Sequence, residues 1–179
     1  MPQFTITRRL PFRSADLYAI AADVPSYPRF VPLCTGARVW DETTDADGRL
    51  CFRAAMDVAY PKLRLAETLV SEVTADPVAL AVRAISTAAP AKYVDNRWLF
   101  HDLKAGGTDV DFYLAYELRS WTLQLLITGM FDFAARKLIN AFEARAHELY
   151  RPVGSEGARQ KLKHELPRRR REAGQGRYA

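Results

Sequence analysis

The stretch WTLQLLITGMFDFAARKLINAFEARAHELY, residues 121–150, decides the fold class of this chain of 179 residues. Apolar side chains recur in it at spacings of three and four, the period of one helix face: Leu123, Leu126, Ile127, Met130, Ala134, Leu138, Ala141, Phe142 and Leu149. A single helix of this span is about 45 Å long. That length is enough to cover one face of a whole sheet.

Strand-like alternation fills most of the chain before this helix. Residues 3–10 predict a first strand, and a short helix follows with Ser14 as its N-cap. Six further strands pair into three hairpins, whose turns carry Asp47-Gly48, Asp76-Pro77 and Gly106-Gly107. Because an antiparallel sheet needs one face covered, we predict an α+β domain. A curved antiparallel sheet of about seven strands wraps around the long C-terminal helix and encloses volume against it.

The basic charge of the chain is concentrated at its C-terminal end. Residues 151–179 hold nine Lys and Arg against three Glu, a net charge of +6, and the whole chain carries +5, so 1–150 has a net charge of −1. We therefore assign 1–150 to the folded domain and 151–179 to a basic, disordered tail. We find no run of about eighteen apolar residues and no apolar signal region. These absences lead us to expect a soluble, intracellular protein.

The sequence offers no persuasive active site. It lacks nucleotide-binding and nucleophile motifs, and its histidines have no metal-ligand spacing: His101, His147 and His164. Both cysteines are expected to be reduced core thiols: Cys34 and Cys51. Four polar residues near one predicted strand form either acid–base machinery or, as we favour, a solvated strand end: Asp95, Arg97, His101 and Asp102. We predict no enzymatic activity, no catalytic cofactor and no metal.

Strand parity identifies the side chains that face the helix. The inward set is large and apolar: Leu65, Trp98, Phe100, Phe112, Leu114 and Tyr116. These residues either pack a filled core or line a cavity, and the pattern alone leaves both open. Glu67 falls on the same apolar side of its strand. Its carboxylate either points inward to a polar ligand head or returns to solvent through a bulge, and we favour the bulge.

Two unusually apolar segments frame the predicted sheet. DVPSYPRFVPLC, residues 23–34, combines three prolines with apolar side chains, whereas prolines usually mark polar loops. The segment is therefore either a buried connection or a lid over an apolar cavity. The helix start, WTLQLLITGMF, is uncharged over eleven residues, although a helix on a sheet normally exposes a charged face. Another element, another subunit or a membrane surface is expected to cover it.

Four segments together resemble one family: ADVPSYPRFVPLCTGARV, TLVSEVTADP, DFYLAYELRS and GMFDFAARKLINAFEARAHELY, with a Trp-x-Phe at Trp98–Phe100. They are similar to the coenzyme Q-binding START-domain family. This polyketide cyclase/dehydrase-like group includes mitochondrial ubiquinone-binding proteins and the bacterial ribosome-association toxin A. The resemblance covers residues 3–150. AAPAKYVDNRW departs from it, because family members often carry a Gly-Pro-Phe-like stretch there.

The resemblance implies a helix-grip (START/Bet v 1-like) fold with an apolar tunnel for a polyprenyl quinone, ubiquinone or a precursor. The implied role is that of a lipid carrier or chaperone supporting respiratory electron transport. By motif, the tunnel mouth takes Tyr27, Phe30, Val31 and Pro32. The long helix closes the tunnel with Leu126, Met130 and Phe133. Glu67, Tyr116 and the region of Arg97 are the head-group candidates.

Lipid exchange requires contact with a membrane, so we expect the protein to lie in the cytoplasm, peripheral to the inner membrane. The uncharged helix start and RRRRE at 168–172 are the expected contacts. The alternative is a toxin-like protein that binds the large ribosomal subunit through its basic tail and blocks subunit association and translation. A third interpretation is a cyclase or dehydratase with Glu67 or Tyr116 as its acid–base group.

Overall fold

A computed structural model of the chain describes residues 1–61 and 64–154. Within the last helix, the side chains of 123, 126 and 130–132 lie outside the described part. The strands are β1 (Gln3–Leu10), β2 (Cys34–Thr44), β3 (Leu50–Tyr60), β4 (Leu65–Asp76), β5 (Ala81–Ser86), β6 (Ala91–Asp102) and β7 (Thr108–Leu118). The α-helices are α1 (Ser14–Ala22) and α2 (Trp121–Leu149), and a 3₁₀ helix spans Val24–Arg29.

The seven strands form one antiparallel sheet in the order β1-β7-β6-β5-β4-β3-β2. The three predicted hairpins are confirmed as β2–β3, β4–β5 and β6–β7, and the long helix is confirmed as α2. At the β6–β7 turn Gly107 has φ +87, and a Cβ there would lie 2.8 Å from the Leu10 carbonyl oxygen. Only glycine fits that turn, because the backbone is left-handed and a neighbouring strand passes close by.

Helix α2 packs its apolar stripe against the inner face of the sheet. Its buried residues follow a helical spacing: Ala135, Ile139, Phe142 and Ala146. The Phe142 ring stacks on Trp98 of β6, with ring centroids 4.7 Å apart. Past its end, Val153 N donates to Pro11 O at 2.7 Å, and the Val153 side chain lies against Gly106. The C-terminal end of α2 is therefore anchored beside the β6–β7 turn.

Helix α1 begins one residue earlier than the sequence suggests. Arg13 occupies the N-cap position without a side-chain hydrogen bond, and Ser14 is the first helical residue. Ser14 is buried, and its backbone N donates to Asp102 Oδ1 at 3.4 Å. The N-cap prediction for Ser14 is wrong because a carboxylate from β6 supplies the acceptor instead.

The prediction of a solvated strand end around Asp95 is also wrong. Asp95 lies in the middle of β6 on the outer face of the sheet, and its side chain is 2% exposed. Arg83 Nη2 lies 3.0 Å from one carboxylate oxygen, Arg97 Nε donates to the other at 3.0 Å, and the Tyr93 hydroxyl donates at 3.2 Å. His101 and Asp102 do not join this group, because they bond to Asp111 and Ser14.

Two opposing effects act on the Asp95 carboxyl group. Burial alone raises its pKa, but the hydrogen bonds and positive charges of Arg97 and Arg83 outweigh burial and hold the pKa well below its ordinary range. The carboxylate is therefore charged at neutral pH and links β5 to β6.

We expect Asp95→Asn to lower the free energy of unfolding by about 2 kcal/mol at pH 7, because hydrogen bonds to a buried charge are lost. A folded-state pKa below the unfolded value of about 3.9 means that the contribution is present above pH 4 and lost as pH falls. Denaturant unfolding of the wild type and the variant from pH 7 to pH 3 measures both the loss of stability and its pH dependence. Asp111→Asn, which removes a half-exposed pair with His101, should cost less than about 1 kcal/mol. Equal losses in the two variants would contradict the assignment.

Candidate ligand-binding site

A cavity of about 310 Å³ lies between the inner face of the sheet, the segment after α1 and helix α2. Its wall is almost entirely apolar, with contributions from β3, β4, β5, β6, β7 and α2. The structure brings eight of the residues named from the sequence to this wall: Tyr27, Phe30, Val31, Leu65, Glu67, Trp98, Leu114 and Tyr116. The cavity falls in the size range of small-molecule sites.

The floor of the cavity is an aromatic cluster around Trp98. This side chain is 5% exposed, and its ring lies against Phe112 and Phe142 with centroids 4.6 Å and 4.7 Å away. Its indole N–H donates to Asn96 Oδ1 at 2.9 Å. The indole is thus held in place by two ring contacts and by a hydrogen bond at its polar edge.

Five of the predicted lining residues need correction or fall outside the described side chains, and one more lies beside the cavity. Phe100 and Phe112 are fully buried in the core behind Trp98, one step farther along their strands than the cavity reaches. Phe133 is 62% exposed with Lys137 Nζ 4.6 Å from its ring, because the buried stripe of α2 runs through other positions. Pro32 is half-buried but does not line the cavity. The side chains of two further residues lie outside the described part: Leu126 and Met130.

Glu67 marks the mouth of the cavity. It is exposed and also lies on the cavity wall. The favoured bulge is wrong, because β3 and β4 pair without a register shift and Glu67 lies opposite Val58. Strand β5 pairs only with Glu72–Asp76 of β4. The wall is therefore open beside the first half of β4. We call Val31, Val58, Leu65 and Glu67 the mouth residues.

The proline segment covers the cavity next to the mouth. The Tyr27 hydroxyl donates to Ala21 O at 2.7 Å, and the Tyr27 and Phe30 rings meet edge to face at 5.6 Å. Burial, reinforced by the charge of Asp23, raises the pKa of Tyr27 well above its ordinary value. The Arg145 guanidinium lies 5.9 Å from the Phe30 ring centroid. The segment is thus both packed against the core and part of the cavity wall.

Two polar wall residues were missed by the sequence analysis, Ser71 on β4 and Asn96 on β6. The alternation of inward and outward side chains along each strand could have identified both residues. Ser71 shares its face with Glu67 and Leu69, and Asn96 shares its face with Trp98. Small polar residues inside an apolar row were simply less conspicuous than the aromatic ones.

The titratable side chains on the described wall are few and do not form an acid–base pair. They are Tyr27, Glu67 and Tyr116. The hydroxyls of the two tyrosines donate to Ala21 O and to Thr128 Oγ1. Across residues 1–61 and 64–154 no group of three or more His, Cys, Asp and Glu is placed to hold a metal ion. The arrangement has room for an apolar molecule and offers it a few hydrogen-bonding groups.

A seven-stranded antiparallel sheet that holds a long C-terminal helix over an apolar cavity defines a helix-grip protein of the START/Bet v 1-like class. The chain belongs to the family described as polyketide cyclase / dehydrase and lipid transport, whose model matches residues 10–143. The resemblance found in the sequence is thereby confirmed.

Proteins with two different names are similar in sequence to most of this chain. Ribosome association toxin RatA of Escherichia coli K12 is 28% identical over 150 residues, which are 84% of this chain and 90% of that protein. Coenzyme Q-binding protein coq10, mitochondrial, of Schizosaccharomyces pombe is 26% identical over 144 residues, 80% of this chain and 85% of that protein. The solution structure of an 18 kDa protein of Caulobacter crescentus matches with a TM-score of 0.69 and 32% identity, covering 83% of this chain and 98% of that one.

Neither α1 nor the described part of α2 is long and apolar enough to span a membrane.

Proposed function

We propose that this chain binds ubiquinone, or a polyprenyl quinone precursor, in the cavity and carries it as a chaperone that supports respiratory electron transport. The observation that supports this most is the apolar cavity of about 310 Å³, closed by an aromatic floor and open at Glu67. Similarity to proteins named as coenzyme Q-binding agrees with it. A prenylquinone contributes about 0.8 kcal/mol for each buried CH₂ group, so an apolar cavity favours such a ligand.

The proposed role is binding without catalysis. The family description includes cyclases and dehydrases as well as lipid transport, so the wall itself has to be considered. A cyclase of the kind considered above would use Glu67 or Tyr116 as acid or base. Glu67 is exposed at the mouth, and the Tyr116 hydroxyl donates to Thr128 at 3.2 Å. This placement favours a carrier over an enzyme.

We further propose that the protein works in the cytoplasm at the surface of the inner membrane. Trp121 and Leu125 at the start of α2 are 77% and 61% exposed, and we call them the apolar ridge. Large exposed apolar side chains next to one another mark contact surfaces. Arg119 precedes the ridge and bonds to the backbone carbonyls of Thr87 and Ala91 rather than to a carboxylate. The segment RRRRE at 168–172, which lies outside the described residues, is a second proposed contact with anionic lipid.

A second candidate function is association with the large ribosomal subunit. The similarity to proteins named ribosome association toxin favours it, and so does the net charge of +6 on residues 151–179. A basic segment binds RNA phosphates with a strong dependence on salt. The two candidates use different parts of the chain, so separate variants distinguish them.

Protein purified from a quinone-producing host should carry prenylquinone in native mass spectrometry. Ala84→Leu adds volume inside the cavity and should reduce the loaded fraction at least tenfold. Ala66→Leu adds the same volume at an exposed position on the other face of β4 and should leave loading unchanged. Wild-type protein that carries no prenylquinone and takes up none on addition would refute the proposal.

Flotation with vesicles that contain anionic lipid tests the membrane contact. Trp121→Ser with Leu125→Ser should lower the bound fraction several-fold, because about 25 cal/mol is lost for each Å² of apolar surface no longer buried. Val78→Ser is the control, since Val78 is 87% exposed on the β4–β5 turn. An equal loss for Val78→Ser would show that the apolar ridge has no specific role in vesicle binding.

Ribosome co-sedimentation across a salt series tests the second candidate. If the tail binds rRNA, the bound fraction should fall steeply from about 50 to 200 mM salt, and a chain ending at Gly154 should not co-sediment. Prenylquinone loading of the shortened chain is the control and should persist. Co-sedimentation that is unaffected by removing the tail would exclude the tail as the contact.

A further inference from the structure

We infer that the ligand enters ring-first, that Ser71 and Asn96 donate hydrogen bonds to acceptor atoms of its ring, and that its tail leaves past Glu67. This inference rests on the proposed function, because it assigns the polar groups of the same cavity. It names a specificity site for an aromatic or quinonoid ring with two opposed oxygen acceptors.

The volume of the cavity limits what it encloses. If each non-hydrogen atom takes about 20–30 Å³, similar to the share of a water molecule in the liquid, a cavity of about 310 Å³ holds on the order of 10–15 such atoms. A ring with its oxygen substituents is of this size. A chain of several isoprene units does not fit beside it, so ring and full tail cannot both be enclosed.

Ser71 provides a hydroxyl group on the cavity wall. It is half-buried on the cavity wall, and in the described part of the chain its Oγ has no hydrogen-bond partner. The hydroxyl of Ser86 on the neighbouring strand, in contrast, donates to Val70 O. A hydroxyl inside an apolar wall costs free energy unless a ligand supplies a partner.

Asn96 provides a second donor, held in a fixed orientation. Its Oδ1 accepts from the Trp98 indole at 2.9 Å, which identifies Nδ2 as the other end of the amide. One hydrogen of Nδ2 is directed to Tyr113 O at 3.4 Å. An amide nitrogen carries two hydrogens, so a second one remains for the cavity that Asn96 lines.

The register of the sheet sets the spacing of these two donors. Val73 on β4 pairs with Ala84 on β5, and Ala84 pairs with Asn96 on β6. Ser71 lies one inward-facing position away from Val73 along β4. Two strand spacings of about 4.8 Å and a two-residue offset of about 3.3 Å per residue place the Cα atoms roughly 12 Å apart. This separation leaves room for a ring between the two side chains, with each of its opposed oxygens about 2.9 Å from a donor.

The mouth residues disfavour the opposite orientation, in which the ring lies at the mouth and the tail lies inside the cavity. An ionised carboxylate accepts hydrogen bonds and donates none, so Glu67 offers nothing to a ring whose polar atoms are acceptors. The other mouth residues are apolar, Val31, Val58 and Leu65. They contact a hydrocarbon tail favourably, and the tail passes Glu67 into solvent or lipid.

The experiment measures binding of benzoquinones with zero to four isoprene units through quenching of Trp98 fluorescence. Trp40→Phe and Trp121→Phe remove the other two tryptophans. Affinity should rise with the first one or two units and then level off, because later units lie outside the cavity. Ser71→Ala should weaken binding about three- to tenfold, the effect of one lost hydrogen bond. An isoprenoid hydrocarbon without a ring, which competes for the cavity, should be unaffected.

Thr74→Val is the matched control, since Thr74 lies on β4 with its side chain on the opposite face from Ser71. It should leave every affinity unchanged. Quinone binding that Ser71→Ala does not alter, or affinity that keeps rising through the fourth unit, would overturn the ring-first orientation while leaving the proposed function intact. Failure of the wild-type chain to bind any of the quinones would overturn both.

Discussion

The structure depends on a packing constraint: helix α2 crosses the sheet at a distance that small side chains cannot fill. Protein interiors are normally packed as densely as organic crystals. At one end of the inner face, the ring of Trp98 packs directly against those of Phe112 and Phe142. Toward the other end the wall carries Ala54 and Ala84, and a volume of about 310 Å³ stays open. The cavity is therefore a product of where large and small residues alternate along the strands.

The outer face of the sheet stabilises this wall from behind. Asp95 is buried between Arg83 and Arg97, and the three residues tie β5 to β6. These are the strands that place Ala84 and Asn96 on the cavity wall. The ionic contacts on the outer face and the cavity on the inner face therefore involve the same two strands, β5 and β6.

Periodicity predicted the topology well, because strands and a long amphipathic helix each have a characteristic spacing of apolar residues in the sequence. It also found the correct face for Trp98, Leu114 and Tyr116. It did not distinguish Trp98 from Phe100, because both have the same parity and only the crossing point of α2 decides which one reaches the cavity. The burial of Asp95 was equally hidden, since it depends on arginines from two strands. Which inward-facing residue of a strand reaches the cavity depends on tertiary packing, and the strand's own sequence does not show it.

The length of helix α2 keeps its anchored C-terminal end far from its apolar N-terminal end. Val153 is fastened to Pro11 by a 2.7 Å hydrogen bond, and a helix of 29 residues is about 43 Å long. Val153 consequently lies at one end of the molecule, whereas the apolar ridge of Trp121 and Leu125 lies at the other. Substitutions at one end of α2 are therefore separated from the other end by nearly the whole length of the helix.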